Sequence, residues 1–324
     1  MPISSSASYI TTSEAFLAHW ASVNEALDSQ GPLTLPGATI GEAQAVTMEM
    51  LESFYNELVN QHRAVQTAVT MVTLDRAEVE LQKTAAIDKL GQFNEKVRGN
   101  FPGSKWERSL PAVPSQGDGR QKIVDPLDAA AGLWMRLNAL GTALLLRDGF
   151  TLAAFETMIA NLRLAYRAVA KSEQDLKLER EERGDLEERI YPILKQYRVL
   201  MPTFFPETHA LVASLPRLTP EGGRTPAPVQ VQAVWNAAAE QAKITWSASS
   251  DAELASYSIR WSPGEEYSTE DESVLGTVLP TAAREFFTLQ GLGAPGARSL
   301  FRVYVVLTTD NEKGSETAAV TRPV

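Results

Sequence analysis

The feature that most constrains the fold is a run from residue 42 to residue 99 that contains no proline. Its only glycine before the final Gly99 is Gly91. Apolar residues recur at every seventh position of this run: Leu51, Leu58, Val65, Val72, Val79, Ala86 and Phe93. A seven-residue apolar repeat predicts a long helix that packs against other helices along a coiled-coil-like seam. At about 1.5 Å per residue this helix is expected to be on the order of 85 Å long, which exceeds the helices of compact domains.

Further helices are predicted in the first 215 residues, which gives main helices at about 12–29, 42–99, 126–147 and 151–199. Thr11 precedes Glu14 by three residues, and Thr39 precedes Glu42 by the same spacing. This is the capping-box spacing, in which each side chain accepts a hydrogen bond from an unpaired amide of the first turn. We therefore expect the first two helices to begin close to these threonines.

Proline positions predict the other helix ends. Asp125 and Pro126 suit an N-cap and a first-turn proline, so the third helix is expected to begin there. Thr151 is the expected cap of the fourth helix, and Pro192 is expected to kink that helix or begin a new one because proline lacks the amide hydrogen. The loop 100–125 is long enough for the third helix to pack antiparallel to either end of the second, and both topologies stay open.

Polar residues interrupt the apolar seams at Asp75, Lys89 and Arg183. Polar side chains inside an apolar seam need polar or charged partners. These positions therefore favour contacts with other helices along the length of the seams. Residues 171–190 are dominated by charges of both signs. This pattern is typical of a solvent-exposed helix face with ion pairs between successive turns, so the stretch is predicted to be solvated rather than a binding site.

After residue 228 the pattern changes from helical to strand periodicity. Short alternating runs occur at VQVQAVW, KITWSA, SYSIRW, EFFTLQGL, LFRVYVVLT and ETAAVTR, with turns between them at the spacing of a β-sandwich. The preceding stretch combines prolines with Gly222 and Gly223, which predicts a semi-stiff linker. The predicted organisation is an elongated antiparallel helical bundle at 1–215, a linker at 216–228 and an all-β sandwich at 229–324.

Several features of the β segment occur in a fixed order: Trp246 on the second strand, Leu254, Tyr257 and Ile259 on the third, Leu289 and Leu292 before APGA, and FRVYVV before NEKGSET. In this order they resemble a fibronectin type III (Fn3) module. The resemblance implies an immunoglobulin-like sandwich, with a core expected to contain Trp246, Tyr257, Ile259, Leu292, Phe301 and Val303. Ser299 stands where the family usually has the tyrosine of its corner motif, so another contact is expected to hold the last loop crossing.

Composition bears on the class of partner. The formal charge is -10 with a pI of about 5.0, which argues against binding nucleic-acid backbones or anionic membrane, because both need an excess of lysine and arginine. Cysteine is absent, which excludes disulfides and thiolate chemistry. The sequence shows neither a signal peptide nor a long apolar span, so a cytoplasmic location is the default expectation, with leaderless export left open.

Motifs for chemistry are sparse. His19, His62 and His209 stand at no helical ligand spacing, and the sequence contains neither a G-x-S-x-G elbow nor a glycine-rich phosphate loop. The acidic loop 264–273 lacks the ligand spacing of a known Ca²⁺ site and is predicted to serve solubility. No catalytic residue, metal site or cofactor is therefore predicted.

Three aromatic residues are candidate interface anchors. Trp106, Phe204 and Phe205 lie in proline-rich breaks rather than in periodic helix, and exposed aromatic side chains often anchor interfaces. The alternative is that they close the end of the helical bundle.

The leading hypothesis is a non-enzymatic structural or interaction protein that assembles with itself as an oligomer or filament, or with other proteins. The alternatives are an adhesion or carbohydrate-binding module on a helical stalk and, more remotely, an enzyme without a recognisable motif. The partner and the oligomer number are left open.

Overall fold

The computed structural model describes residue 3 and residues 5–37, 44–141 and 143–324. The α-helices of these residues are α1 Ser6–Leu27, α2 Met48–Asn100, α3 Lys105–Arg108, α4 Arg120–Asn138, α5 Leu152–Leu200 and α6 Ala210–Ala213. The strands are β1 Val231–Asn236, β2 Gln241–Trp246, β3 Leu254–Ser262, β4 Ser273–Val278, β5 Glu285–Thr288, β6 Arg298–Leu307, β7 Glu312–Gly314 and β8 Ala318–Thr321. The predicted succession of packed long helices and an antiparallel β-sandwich is confirmed.

The chain divides into two compact units, one made of residues 1–70 with 177–324 and the other of residues 71–176. Helices α2 and α5 each contribute to both units. The first unit therefore contains the β-sandwich together with the beginning of α2 and the end of α5. This division differs from the predicted one, which placed the boundary at residues 216–228.

The segment predicted to be a linker is held by contacts on both sides. The carbonyl of Leu218 accepts a hydrogen bond from the Ile3 amide at 3.1 Å, and the Leu218 side chain is buried with the helices. The Glu221 amide donates to the Thr309 carbonyl at 2.9 Å, at the end of the sandwich. Fixed backbone hydrogen bonds of this kind explain why the division into units does not fall here.

Helix α1 begins earlier than predicted. The Ser5 amide donates to Ser8 Oγ at 2.8 Å, so a serine pair closes the first turn, and Thr11 and Glu14 lie inside the helix. The apolar side of α1 packs against α2 and α5 in a core that includes Phe16, Trp20, Val23, Leu51, Leu58, Ile190, Leu194 and Tyr197. Burial of these large side chains is the main stabilising term for α1, because its sequence contributes little helix propensity.

Helix α2 begins later than the predicted residue 42. Leu35 and Val46 form an isolated antiparallel bridge with two backbone hydrogen bonds of 2.9 Å each, which keeps the residues near Val46 extended. The proposed capping pair Thr39 and Glu42 lies outside the described residues. The seam of α2 is buried along its length, as the repeat predicts.

The predicted limits of the third helix, 126–147, are wrong. Helix α4 begins at Arg120 and continues through Pro126, because the neighbouring Ile123 and Leu127 are fully buried and their packing offsets the lost backbone hydrogen bond. It ends at Asn138, whose Oδ1 accepts from the Leu144 amide at 2.8 Å, and Gly141 follows at φ 114. The core of the second unit forms where Leu133, Trp134 and Leu137 of α4 pack with Phe93 of α2 and with Phe155, Ile159 and Leu162 of α5.

Helix α5 runs from Leu152 to Leu200, close to the predicted 151–199, and continues through Pro192 without an interruption. It packs against α2 in both units. In the first unit Gln61 Nε2 donates to the Glu179 carbonyl at 3.0 Å, and in the second Arg76 pairs with Glu173 at 2.7 Å.

The β-sandwich contains a three-stranded sheet, β1-β2-β5, and a second sheet in the order β4-β3-β6-β7, with β8 also paired to β6. Every pairing is antiparallel. The residues expected in the core are all buried between the sheets: Trp246, Tyr257, Ile259, Leu292, Phe301 and Val303. Along β2, β3 and β6 every second side chain points between the two sheets, as expected for strands with a two-residue period.

Ser299 holds the loop crossing that a corner tyrosine holds in the Fn3 family. Its Oγ donates to the Gln290 carbonyl at 2.8 Å, across the turn that precedes β6. Gly291 in that turn has φ 71, and a Cβ there would lie 2.7 Å from Ser299 Oγ. A small hydroxyl beside a glycine thus replaces the larger phenol at this position.

Candidate functional site

The first candidate site is where the sandwich meets the helices within the first unit. The loop between β3 and β4 places Glu270 and Asp271 against Arg180 and Arg183 of α5, and we call these four residues the arginine clamp. Asp271 Oδ2 lies 2.5 Å from Arg180, and Asp271 Oδ1 accepts from Arg183 NH1 at 3.4 Å. Arg183 also donates to Glu270 at 3.2 Å.

Both central members of the clamp are removed from solvent. Arg183 is 2% exposed and Asp271 is 1% exposed. The predictions that residues 171–190 and the acidic loop 264–273 are solvated are wrong at these positions, because each charge finds its partner in a distant part of the chain. A buried ion pair contributes little net stability, but loss of one partner leaves an uncompensated charge. The clamp therefore disfavours any docking of the sandwich on α5 that would separate Arg183 from Asp271.

The same loop covers the outer face of the sheet through a second buried network. Arg260 pairs with Glu272 at 2.7 Å and also with Glu312, and its guanidinium lies 3.9 Å from the centre of the Tyr304 ring. The hydroxyls of Tyr267 and Tyr304 donate to Glu272 at 2.7 and 2.9 Å. Burial and the Glu272 carboxylate raise the pKa of Tyr304 to about 12, so this phenol keeps its proton and donates at neutral pH.

His62 lies beside the clamp on α2. Its Nε2 is 2.8 Å from Ser273 Oγ, and Gln66 contacts both groups. Burial, followed by the charge of Arg183, lowers the pKa of His62 to about 4, while Asp271 opposes the shift. The imidazole is therefore neutral at pH 7.

We predict that His62 makes the protein sensitive to acid. His62 binds a proton near pH 6.5 in the unfolded chain but only near pH 4 in the folded chain. The free energy of unfolding is therefore highest above pH 6.5, and it decreases as the pH falls towards 4. The expected loss is about 2 to 3 kcal/mol. His62→Gln should remove this part of the pH dependence in denaturant unfolding, whereas parallel pH profiles for the two proteins would contradict the prediction.

The second candidate site lies in the second unit, on one side of the α2–α5 pair. Four apolar side chains there face solvent, and we call them the leucine face: Met71, Leu74, Leu81 and Leu164. Leu74 and Leu81 each follow a buried seam residue by two positions, as Leu164 follows Leu162. If the seam residue is the first position of a heptad, this is the third position, which lies on the outer side of the helix next to the seventh-position flank. Leu81 is 68% exposed and Leu164 is 57% exposed.

Helix α4 packs on the other flank of the pair. Arg163 of α5 pairs with Asp128 of α4 at 2.5 Å, and the Arg120 guanidinium lies 5.5 Å from the centre of the Tyr166 ring. Arg163 and Tyr166 occupy heptad positions on the opposite side of the seam from Leu164. The leucine face is therefore the side of the pair that α4 leaves exposed.

The three predicted interface aromatics lie in different environments. Trp106 packs against the core of the second unit, and Lys105 lies 4.8 Å from the centre of its ring. Phe205 packs against the core of the first unit and stacks on His209 at 4.6 Å. Phe204 is 44% exposed. The structure thus does not join these residues into one surface.

His19 and His62 have different hydrogen-bond partners. His19 Nδ1 is 2.7 Å from the Tyr197 hydroxyl and its Nε2 is 2.8 Å from the Leu211 carbonyl, whereas His62 contacts Ser273 and Gln66. Among the described residues no group of three or more histidine, aspartate or glutamate side chains could hold a metal ion. No helix within the described ranges is long and apolar enough to cross a membrane.

Comparisons with known proteins concern the β region. An Fn3-like protein from Clostridium thermocellum is 19% identical, with a TM-score of 0.25, and the match covers 31% of this chain and 97% of that one. Pectate lyase Pel3 from Pectobacterium carotovorum is 12% identical, with a TM-score of 0.25 and coverage of 29% and 27%. Pectate lyase PelI from Erwinia chrysanthemi, solved with tetragalacturonic acid, is 13% identical, with a TM-score of 0.25 and coverage of 29% and 28%.

The chain thus spans little more than a quarter of either pectate lyase. No protein-family model and no curated protein matches the chain. The β region has the two antiparallel sheets that the sequence predicted, and the helical region stays without an assigned family.

Proposed function

We propose that this chain is a non-enzymatic structural protein that associates with itself through its helices and carries the Fn3-like sandwich as a docked module. The observation that supports this proposal best is the leucine face, where Leu81 and Leu164 expose more than half of their side-chain surface on adjacent helices. Removal of such apolar surface from water lowers the free energy of the system, and clustered exposed apolar groups are typical of protein interfaces.

The clamp supports the second part of the proposal. It fixes the sandwich on α5 through buried ion pairs, so the sandwich is held in one orientation while its outer strands stay accessible to partners. A carbohydrate-binding role for the sandwich is the alternative hypothesis, and no contact among the described residues favours it over protein binding.

We predict a concentration-dependent oligomer in analytical ultracentrifugation. Leu81→Asp should weaken the association at least tenfold, because the change places a charge within the surface that is buried on association. Leu140→Asp is the matched control, because Leu140 is 62% exposed in the same unit but follows α4. It should leave the association constant unchanged.

A strictly monomeric wild-type protein at high concentration, in both low and high salt, would contradict self-association. Equal effects of Leu81→Asp and Leu140→Asp would contradict the role of the leucine face.

A further inference from the structure

We infer that the partner of the leucine face is a second copy of this chain, related by a twofold axis parallel to the helices. In this arrangement α2 of each copy packs against α5 of the other, which gives an antiparallel four-helix contact. The inference rests on the self-association proposed above and specifies its geometry. It follows from the register of the two helices and from the charges beside the leucines.

The register within one copy is set by Arg76 and Glu173, whose side chains meet at 2.7 Å. Counting along the antiparallel helices from this pair places Glu78 level with Lys171 and Leu81 level with Ala168. Leu164 lies one turn further along, at about 6 Å for a rise of about 1.5 Å per residue.

A twofold axis parallel to the helices preserves these levels between the two copies. Leu81 of one copy then enters the gap between Leu164 and Ala168 on α5 of the other. This is the knob-into-hole contact of a left-handed helical bundle, in which one side chain fits among residues spaced three and four apart. Because the interface is isologous, the contact occurs twice per dimer.

The charges are complementary in the same arrangement. Glu78 lies on the leucine-face flank of α2, and Lys171 lies on that flank of α5 with a side chain that is 77% exposed. Within one copy Glu78 accepts a hydrogen bond from Gln82 at 2.5 Å, and Lys171 pairs with Asp175 at 2.5 Å. Packing of α2 on α5 brings Glu78 beside Lys171 of the second copy, as flanking charges do between the helices of coiled coils.

The other closed arrangement places α2 against α2 with the axis perpendicular to the helices. Leu74 and Leu81 would then face Leu81 and Leu74 of the second copy, which puts the axis near residue 78. Glu78 would meet its own symmetry mate, and like charges at close distance are unfavourable. The charge pattern therefore favours packing of α2 on α5.

The first test is a charge exchange in the full chain. Glu78→Lys and Lys171→Glu should each weaken the dimer roughly threefold to tenfold in low salt, because each change creates two like-charge contacts per dimer. The double variant should restore the wild-type association constant. Glu173→Lys is the control on the opposite flank and should leave association unchanged.

The second test uses the natural absence of cysteine. Chains carrying Glu78→Cys and chains carrying Lys171→Cys are mixed and exposed to oxidised glutathione. We expect a disulfide-linked heterodimer between the two variants, in excess of the homodimer of either variant.

The outcomes separate this geometry from self-association in general. A monomeric protein would overturn both. The proposed geometry alone would be overturned by the following set of results. Leu81→Asp weakens the dimer, the double charge variant does not regain the wild-type association constant, and Glu78→Cys chains form disulfides mainly with each other. A dimer indifferent to every one of these changes would overturn the leucine face as the interface.

Discussion

Replacement of Trp246 by alanine should destabilise the sandwich by about 3 to 5 kcal/mol, the range for deletion of a large buried aromatic side chain. Trp246 is 6% exposed at the end of β2, and its ring centre lies 5.5 Å from that of Tyr257. The cavity left by the indole would lie between the two sheets, where strand pairing restricts collapse. Hydrogen exchange of the β2 and β3 amides in the full chain should accelerate by two or more orders of magnitude.

Trp246→Phe is the matched control. The buried indole nitrogen of Trp246 has no hydrogen-bond partner among the described residues, so the smaller ring keeps most of the packing and removes an unpaired donor. We expect the phenylalanine variant to lose much less stability than the alanine variant. A loss below about 1 kcal/mol for Trp246→Ala would mean that the indole is not a core anchor.

The parts of the fold that could be predicted are those set by local periodicity. The seven-residue repeat gave α2 and α5, because apolar residues at that spacing lie on one side of a helix. Alternation with period two placed Trp246, Tyr257 and Val303 in the sandwich core. Both patterns are written in neighbouring residues and need no knowledge of distant contacts.

The errors at the helix starts arose where another contact overrides the predicted start signal. Asp125 and Pro126 have the residue types of a helix start, yet α4 continues through them because Ile123 and Leu127 are buried against other helices. Thr11 and Glu14 have capping-box spacing, yet the turn closed by Ser8 begins α1 earlier. At α4 tertiary packing outweighs an end signal of about 1 kcal/mol, whereas at α1 a second local cap, formed by Ser5 and Ser8, sets the start of the helix.

Only one half of the arginine clamp could be predicted from the sequence. Arg183 occupies a seam position of α5, where an arginine needs a buried partner, but the sequence does not identify that partner. Asp271 lies 88 residues away in an acidic loop whose composition suggests solvation. The leucine face was missed because single exposed leucines are common, and only the packing of α4 on the other flank shows that these lie together.

The clamp leads to the second large effect, at Asp271. Asp271→Ala should lower the free energy of unfolding of the first unit by about 3 to 5 kcal/mol, because it leaves the buried Arg183 without its buried carboxylate partner. Arg180 can turn to solvent, since its side chain is 34% exposed, but Arg183 is enclosed. Limited proteolysis should then cut the segment 217–228 faster, because the sandwich is released from the helices more often.

The control for composition is Glu265→Ala, which removes an exposed acid from the same loop and should change stability by less than about 0.5 kcal/mol. The control for mechanism is the double variant Asp271→Ala with Arg183→Met. Removal of both charges leaves no enclosed guanidinium without its buried carboxylate, so the double variant should be more stable than Asp271→Ala alone. If Asp271→Ala behaves like Glu265→Ala in both unfolding and proteolysis, the buried ion pair does not hold the sandwich. If the double variant is less stable than the single one, Arg183 stabilises the interface through its apolar stem rather than through its charge.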